Sequence, residues 1–264
     1  MTTVLAFAFV ITLLVFVHEL GHFLAARWYG VPVEVFSIGF GPRVWSVRRS
    51  GVEYRVSAIP FGGYVKMAGT APRGETTPNG FDSKTRWQRF VILLAGPVMN
   101  IAFALVLAIV GLWAGIEVQS ESGQTVIYRA GPIDAILLGG KAIAATSSEI
   151  LLTVAGLMTG QISPSHLIGP VGLAQIAGES SELGWRALLA TMAFISLNLG
   201  LCNLLPIPIL DGGHMLMLLV EGVTRRTLSF GLRKALLGAG AAVMLLLLMT
   251  TLYNDLGRIG LLTL

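Results

Sequence analysis

The chain has 264 residues, 54% of them hydrophobic and only 12% charged, with a mean hydropathy of +0.77. These proportions exclude a soluble globular domain and a disordered chain and mark an integral membrane protein. The net charge of +4 comes from basic residues spread along loops beside apolar runs, with no nucleic-acid motif, so it speaks for lipid headgroups and no nucleic-acid partner is expected.

Four runs are long and apolar enough to span a bilayer: 4–26, 90–115, 187–205 and 235–252. No charged segment precedes the first run and no small-residue cleavage site follows it, so it is expected to be a retained span, not a signal peptide. Between the first two runs the pattern changes to alternation. Short strands are expected within 33–67, punctuated by Gly39, Gly41-Pro42, Ser50-Gly51, Pro60 and Gly62-Gly63, and forming a small antiparallel sheet packed on the helices or dipping into the membrane face. Residues 71–82 read as a mobile loop rich in Pro, Gly, Thr and Asn.

After the second run, 119–129 has room for a hairpin fragment at most. Ile133, Ile136, Leu137, Ile143, Ile150, Leu151, Val154 and Leu157 then recur at three- and four-residue steps. Residues 132–158 are therefore expected to be amphipathic, one helix or two broken at Gly139-Gly140, lying on the outer membrane surface. Ten of the eighteen Lys and Arg fall between the first two spans, and Arg225, Arg226, Arg233 and Lys234 between the last two. The positive-inside rule puts both segments in the cytoplasm and leaves both termini and 116–186 outside. Cys202 is the single cysteine, which excludes an internal disulfide and suits a small packed residue.

Two constellations carry chemistry. His18-Glu19-Leu20-Gly21-His22 lies inside the first span. Histidines four apart on a helix stand about 6 Å apart along the axis and roughly 40° apart around it, so both can reach one ion. The glutamate of H-E-x-x-H is the base that takes a proton from water in zinc hydrolases. Ionisable groups at membrane depth need compensation, and a cation is the simplest form of it. A catalytic zinc takes three protein ligands, and the best third candidate is Asp211. It stands in Asn203-Leu204-Leu205-Pro206-Ile207-Pro208-Ile209-Leu210-Asp211-Gly212-Gly213-His214, where prolines interrupt the third span. The alternative use of Asp211 is to N-cap a short helix running to about Gly222. His214, Glu221 and Asp255 are rival ligands; His214 is close enough to support the site, and Asp255 falls on the outer side. Asn203 fits either a hydrogen bond to an extended substrate or oxyanion, or a helix–helix contact. For Asn100 and Asn198 packing is the preferred reading, and Gly96 with Asn100 has the spacing that lets helices approach closely.

Together these residues resemble the site-2 protease family of intramembrane zinc metalloproteases, in its bacterial RseP-like branch. The resemblance rests on both constellations and on Ser37-Ile38-Gly39-Phe40-Gly41-Pro42, Pro60-Phe61-Gly62-Gly63-Tyr64-Val65-Lys66-Met67, Ala95-Gly96-Pro97 and Gly169-Pro170-Val171-Gly172. It implies that His18, His22 and Asp211 bind Zn2+, that Glu19 activates water and that Asn203 assists the substrate. It also implies a bacterial inner membrane and single-span protein substrates such as anti-sigma factors or signal-peptide remnants, held as an extended strand beside the 33–67 element. Members of that branch carry PDZ domains between the second and third spans. The roughly seventy residues available here are too few for one, so the chain reads as lacking its PDZ domains, with 117–131 as a remnant or replacement.

The expectation is a mainly α polytopic membrane protein with four transmembrane helices and a small membrane-associated β-sheet, all of 1–264 forming one membrane-embedded protease domain. Two other classes compete. A metal transporter would need polar positions along several spans, whereas the ligands here concentrate at one depth. A catalytically silent scaffold would have no use for Glu19.

Overall fold

A computed structural model describes residues 2–70, 77–119 and 125–260. The protein is mainly helical: α1 (Thr2–Trp28), α2 (Arg86–Ala114), α3 (Pro132–Met158), α4 (Pro170–Leu183), α5 (Trp185–Asn203), α6 (Asp211–Thr224) and α7 (Phe230–Arg258), with strands β1 (Val33–Arg49), β2 (Val52–Met67), β3 (Ile116–Gln119) and β4 (Thr125–Tyr128). Among the described residues five helices, α1, α2, α3, α5 and α7, are long and apolar enough to cross a membrane, and the chain is a multi-pass membrane protein. Four of them coincide with the runs read from the sequence. The fifth, α3, was expected to be surface-lying and reaches spanning length because Gly139-Gly140 does not break it. Gly139 permits close packing instead: a Cβ there would stand 2.9 Å from Cγ1 of Ile109 on α2.

Contacts divide the chain into two compact units, and α1, α2, α5 and α7 each contribute residues to both. One unit takes in residues 11–100 and 202–245. Its sheet is formed by β1 and β2 as a ribbon that folds back on itself: Val35–Ile38 pair with Gly63–Lys66 on one side and with Glu53–Val56 on the other, so the short strands expected are present as segments of β1 and β2 and the glycines lie where the ribbon bends. Gly39 (φ 86°), Gly41 (φ 85°) and Gly62 (φ 115°) take up the left-handed geometry that the register shifts demand. The tip of the ribbon is Ser50-Gly51, both with positive φ, the signature of a tight hairpin turn. The base of the hairpin is fixed by burial of Val33, Phe36, Val52 and Met67 with Ala26 of α1 and Ile92 of α2. Phe36 meets Phe16 and Phe23 edge-on at centroid distances of 5.7 and 5.3 Å, a geometry that adds about 1 kcal/mol per pair to the burial. Thr12 of α1 donates its hydroxyl to the Pro60 carbonyl.

The other unit takes in residues 1–10, 101–201 and 246–264. In it β3 and β4 pair antiparallel from Ile116–Tyr128 to Gln119–Thr125, while 120–124 lie outside the described residues, as do 71–76 of the loop read from the sequence. The Gly169-Pro170-Val171-Gly172 segment starts α4, and its exposed amides meet one carboxylate: Asp255 accepts from the backbone N–H of Gly169, Val171 and Gly172 at 2.9–3.0 Å. Negative charge at a helix N-terminus is favourable, and Asp255 is nearly fully buried there. On the next turns Asn254 donates to the Pro164 carbonyl and Arg258 to the Ser165 carbonyl.

Candidate metal centre

The centre lies within the unit of residues 11–100 and 202–245, where α1 and α2 run antiparallel: Asn100 lies against His18 and Ile92 against His22. Close approach is a property of two glycines. A Cβ on Gly21 would stand 2.3 Å from the Ala95 carbonyl oxygen, and one on Gly96 would stand 2.4 Å from Nε2 of His22. Two small residues thus bring the helix axes together and leave space for two imidazoles between them.

The third element is made by the interrupted segment after α5. Leu205 N–H bonds the Cys202 carbonyl, and Leu210 N–H the Ile207 carbonyl, so the chain folds tightly across the start of α6. Gly212 and Gly213 admit it, since Cβ atoms there would lie 2.2 Å from the Leu204 oxygen and 2.1 Å from the Ile207 oxygen. The N-cap of α6 is Leu210, with no side-chain cap, and Asp211 is the first helical residue. The capping use of Asp211 is therefore corrected: its carboxylate turns to the histidines.

Oδ2 of Asp211 stands 3.0 Å from Nε2 of His18 and 3.3 Å from Nε2 of His22, and the two Nε2 atoms are 3.2 Å apart. One donor atom from each of the three residues falls within 4.8 Å of the others, a grouping that could hold a metal ion. The spacing fits zinc, for ligand atoms at about 2.0–2.1 Å in a tetrahedral shell stand roughly 3.3 Å from one another. Both histidines are buried. The tautomers fit as well. Nδ1 of His22 lies 2.8 Å from the Ile92 carbonyl oxygen and must donate to it, which leaves Nε2 with a lone pair. Nδ2 of Asn100 lies 3.3 Å from Nδ1 of His18. An amide can present a donor or an acceptor at that place, and a His18 that offers Nε2 to a metal carries its proton on Nδ1 and selects the acceptor.

Glu19 is half-buried on the neighbouring face of α1. The backbone of Val65 in β2 stands beside its carboxylate, and a Cβ on Gly63 would come within 3.7 Å of its Cγ. The hairpin therefore delivers β2 directly to the acid. Asn203 is the last residue of α5, half-buried at the entry to the folded segment, with its side chain engaged in the fold.

The rival ligands have other employment. Glu221, fully buried, accepts from Arg233 at 2.5 Å and from the Leu228 amide at 2.8 Å. Asp255 belongs to the start of α4. His214 sits one turn after Asp211, outside the cluster, facing a cavity lined by Arg89 and Arg233. The residue that sequence reasoning undervalued is Asn100. Its signal was present in the chain, four residues after a glycine on an apolar helix, but only the pairing of α1 with α2 shows that it meets a histidine.

The profile of peptidase family M50 matches residues 6–247. Among similar proteins, one of Fusobacterium nucleatum named as a zinc metalloprotease is 31% identical over 79% of this chain and 85% of its own length. One of Mesorhizobium japonicum with the same kind of name is 27% identical over 96% of this chain and 98% of its own length. The zinc metalloprotease RasP of Bacillus licheniformis is 24% identical over 98% of this chain and all of its own length. The Mesorhizobium alignment runs over 366 positions and the RasP alignment over 417, more than the 264 residues present here, so both relatives carry segments with no counterpart in this chain. With a buried His-His-Asp cluster beside a glutamate, and a family match over most of its length, the chain belongs to peptidase family M50, the site-2 protease family of metalloproteases.

Proposed function

We propose that the protein is an intramembrane zinc metalloprotease that hydrolyses peptide bonds in or near the transmembrane segment of other membrane proteins, as in regulated intramembrane proteolysis. The observation that carries this reading is the convergence of His18, His22 and Asp211 next to Glu19, with both histidines and the glutamate inside a helix of membrane-spanning length. The three residues hold the zinc, which when bound supplies Lewis acidity toward water and the scissile carbonyl. Ile92 and Asn100 orient the imidazoles. Glu19 takes the proton of the attacking water and returns it to the departing amine. Asn203 donates to the substrate backbone or the developing oxyanion.

The substrate is a single-span protein, such as an anti-sigma factor or a signal-peptide remnant, unwound at the cleavage point. A helical substrate hides its amides, and β2, which among the described residues pairs only with β1, offers them a template of backbone groups beside Glu19.

Four spans, not five, best fit the contacts. Arg89 and Leu93 of α2 line one cavity with Arg233 and Leu237 of α7, so those helices run in the same direction. Pro132 lies with Trp113 and Ala114 at the far end of α2, and Pro164 and Ser165 lie at the far end of α7. These contacts support a reading in which both ends of α3 reach the same membrane side and α3 lies along that surface. With basic loops inside, both termini face outward, in the cytoplasmic membrane of a bacterium. Because the spans thread both compact units, 1–264 is read as one membrane-embedded protease domain, with 33–67 as its β-element and 117–131 in place of a PDZ region.

The test is cleavage of a single-span substrate by purified protein, parent against Glu19→Gln, with zinc measured in each. Cleavage lost and zinc retained supports the reading. Parent protein carrying zinc that cuts none of a range of pre-trimmed single-span substrates overturns it.

A further inference from the structure

A cavity of about 470 Å³ lies apart from the metal cluster, bounded by α2, α6, α7 and the chain on either side of 71–76. Its charge is lopsided: Arg89, Arg233 and Lys234 line it, against one carboxylate, Asp82. Glu221 adjoins it, but one of its oxygens is already taken by Arg233. The remaining lining is apolar and includes Phe81, Leu93, Met217 and Leu237, with exposed Phe230 at the margin.

Four buried polar atoms here meet no partner among the described residues: Nε of Arg89, Nε of Arg233, Oδ1 of Asp82 and, in the adjoining space, Oε2 of Glu221. A buried charged group with an unmet donor or acceptor is unfavourable, and the described residues by themselves do not close this network. Two guanidinium donors require an anion with several oxygens, and phosphate matches that fork geometry. The aspartate oxygen beside them requires the opposite, a donor. The cavity lies at the N-terminal ends of α2 and α7, beside Arg86, Arg89, Arg233 and Lys234, a setting that suits lipid headgroups.

We infer that this cavity is a binding site for a glycerophospholipid whose headgroup joins a phosphate to a hydrogen-bond donor. The phosphate sits between Arg89, Arg233 and Lys234, the ammonium or hydroxyl of an ethanolamine or glycerol headgroup reaches Asp82, and the start of an acyl chain covers the apolar lining. Water would satisfy the polar atoms singly, but it would not account for an anion site and a donor site on one apolar-lined pocket. The inference does not depend on the protease reading, since it concerns a different cavity and a lipid already present in the membrane.

The experiment is native mass spectrometry of the full chain in detergent, titrated with phosphatidylethanolamine, phosphatidylglycerol, phosphatidylcholine and inorganic phosphate. Expected is one tightly retained phosphatidylethanolamine or phosphatidylglycerol per chain. Retention falls roughly tenfold or more in Arg89→Gln, as for loss of a charge-assisted bond, and equally in Leu237→Trp, which fills the cavity and keeps every charge. Phosphatidylcholine, which has no donor on its headgroup, binds more weakly in the parent but not in Asp82→Asn. Zinc content read in the same samples verifies folding. Equal retention of all three lipids by parent and both cavity variants overturns the site. Protection by inorganic phosphate as strong as by lipid, abolished by Arg89→Gln, overturns the lipid in favour of a free anion.

Discussion

Replacing Gly96 by alanine adds one methyl group at the place where it does most harm. Its carbon would lie 2.4 Å from Nε2 and 2.6 Å from Cε1 of His22, and 2.9 Å from Cε1 of His18. Carbon contacts settle near 3.5–4.0 Å, so at least one ring must withdraw by about 1 Å. His22 cannot turn freely, because Nδ1 is held 2.8 Å from the Ile92 carbonyl on the same helix as the intruding methyl. Metal sites tolerate ligand displacements of about 0.2 Å, and misplacement near 1 Å can cost about a hundredfold in rate. Stability should change less, since overpacking costs about 1–3 kcal/mol and alanine returns about 1 kcal/mol of helix propensity. Gly111→Ala on the same helix is the control, for no atom lies within 4 Å of its Cβ position. The assays are zinc per chain by elemental analysis, cleavage of a single-span substrate, and thermal unfolding. Gly96→Ala should lose most of its zinc and at least about a hundredfold in cleavage while remaining folded, and Gly111→Ala should match the parent in all three. Full zinc and parental cleavage in Gly96→Ala would refute the placement of the cluster against α2.

Asn100→Ala should weaken zinc binding by about 10–100-fold in competition with a chelator, as loss of a group that orients a ligating histidine does; an unchanged affinity would show that Asn100 serves packing alone. Asp255→Ala strands three backbone N–H groups at the start of α4 and should destabilise by about 2 kcal/mol or more, read as a fall in unfolding temperature at unchanged zinc content. Arg233→Met leaves the fully buried Glu221 without its ion partner and should cost about 3–5 kcal/mol, with stability recovered in the double variant Arg233→Met/Glu221→Met. Against a relative that carries the additional segments, this chain should discriminate less between full-length and pre-trimmed substrates; equal rejection of the full-length form by both would count against a filtering role for those segments.

The four apolar runs and H-E-x-x-H were legible because their signals are local: length and hydropathy for the first, a four-residue helical step for the second. The glycine punctuation of 33–67 was legible as bends, but the pairing of Val35–Ile38 with both Gly63–Lys66 and Glu53–Val56 was not, because a ribbon that folds onto itself is set by non-local register. The continuity of α3 escaped for a related reason. A glycine pair that would break an isolated helix is retained here, with Gly139 giving Ile109 the room to pack. Asp211 was found from the chain interruption before it, but its partners come from a helix 193 positions away, which no local pattern encodes.

Asp211, Glu221 and Asp255 are nearly equivalent in sequence terms, each an acidic residue in or beside an apolar helix, and their surroundings separate them. Asp255 is met by three amide donors and Glu221 by a guanidinium and an amide. Asp255 is thereby satisfied on both oxygens, and Glu221 is neutralised by its ion pair with Arg233. Asp211 differs, because each imidazole it faces has an Nδ1 engaged elsewhere, His22 to Ile92 and His18 to Asn100. A His18 and a His22 that carry their protons on Nδ1 both offer an Nε2 lone pair beside the Asp211 oxygen, three donor atoms at one place. A divalent cation can serve all three at once, which is why Asp211, of the three, reads as the ligand.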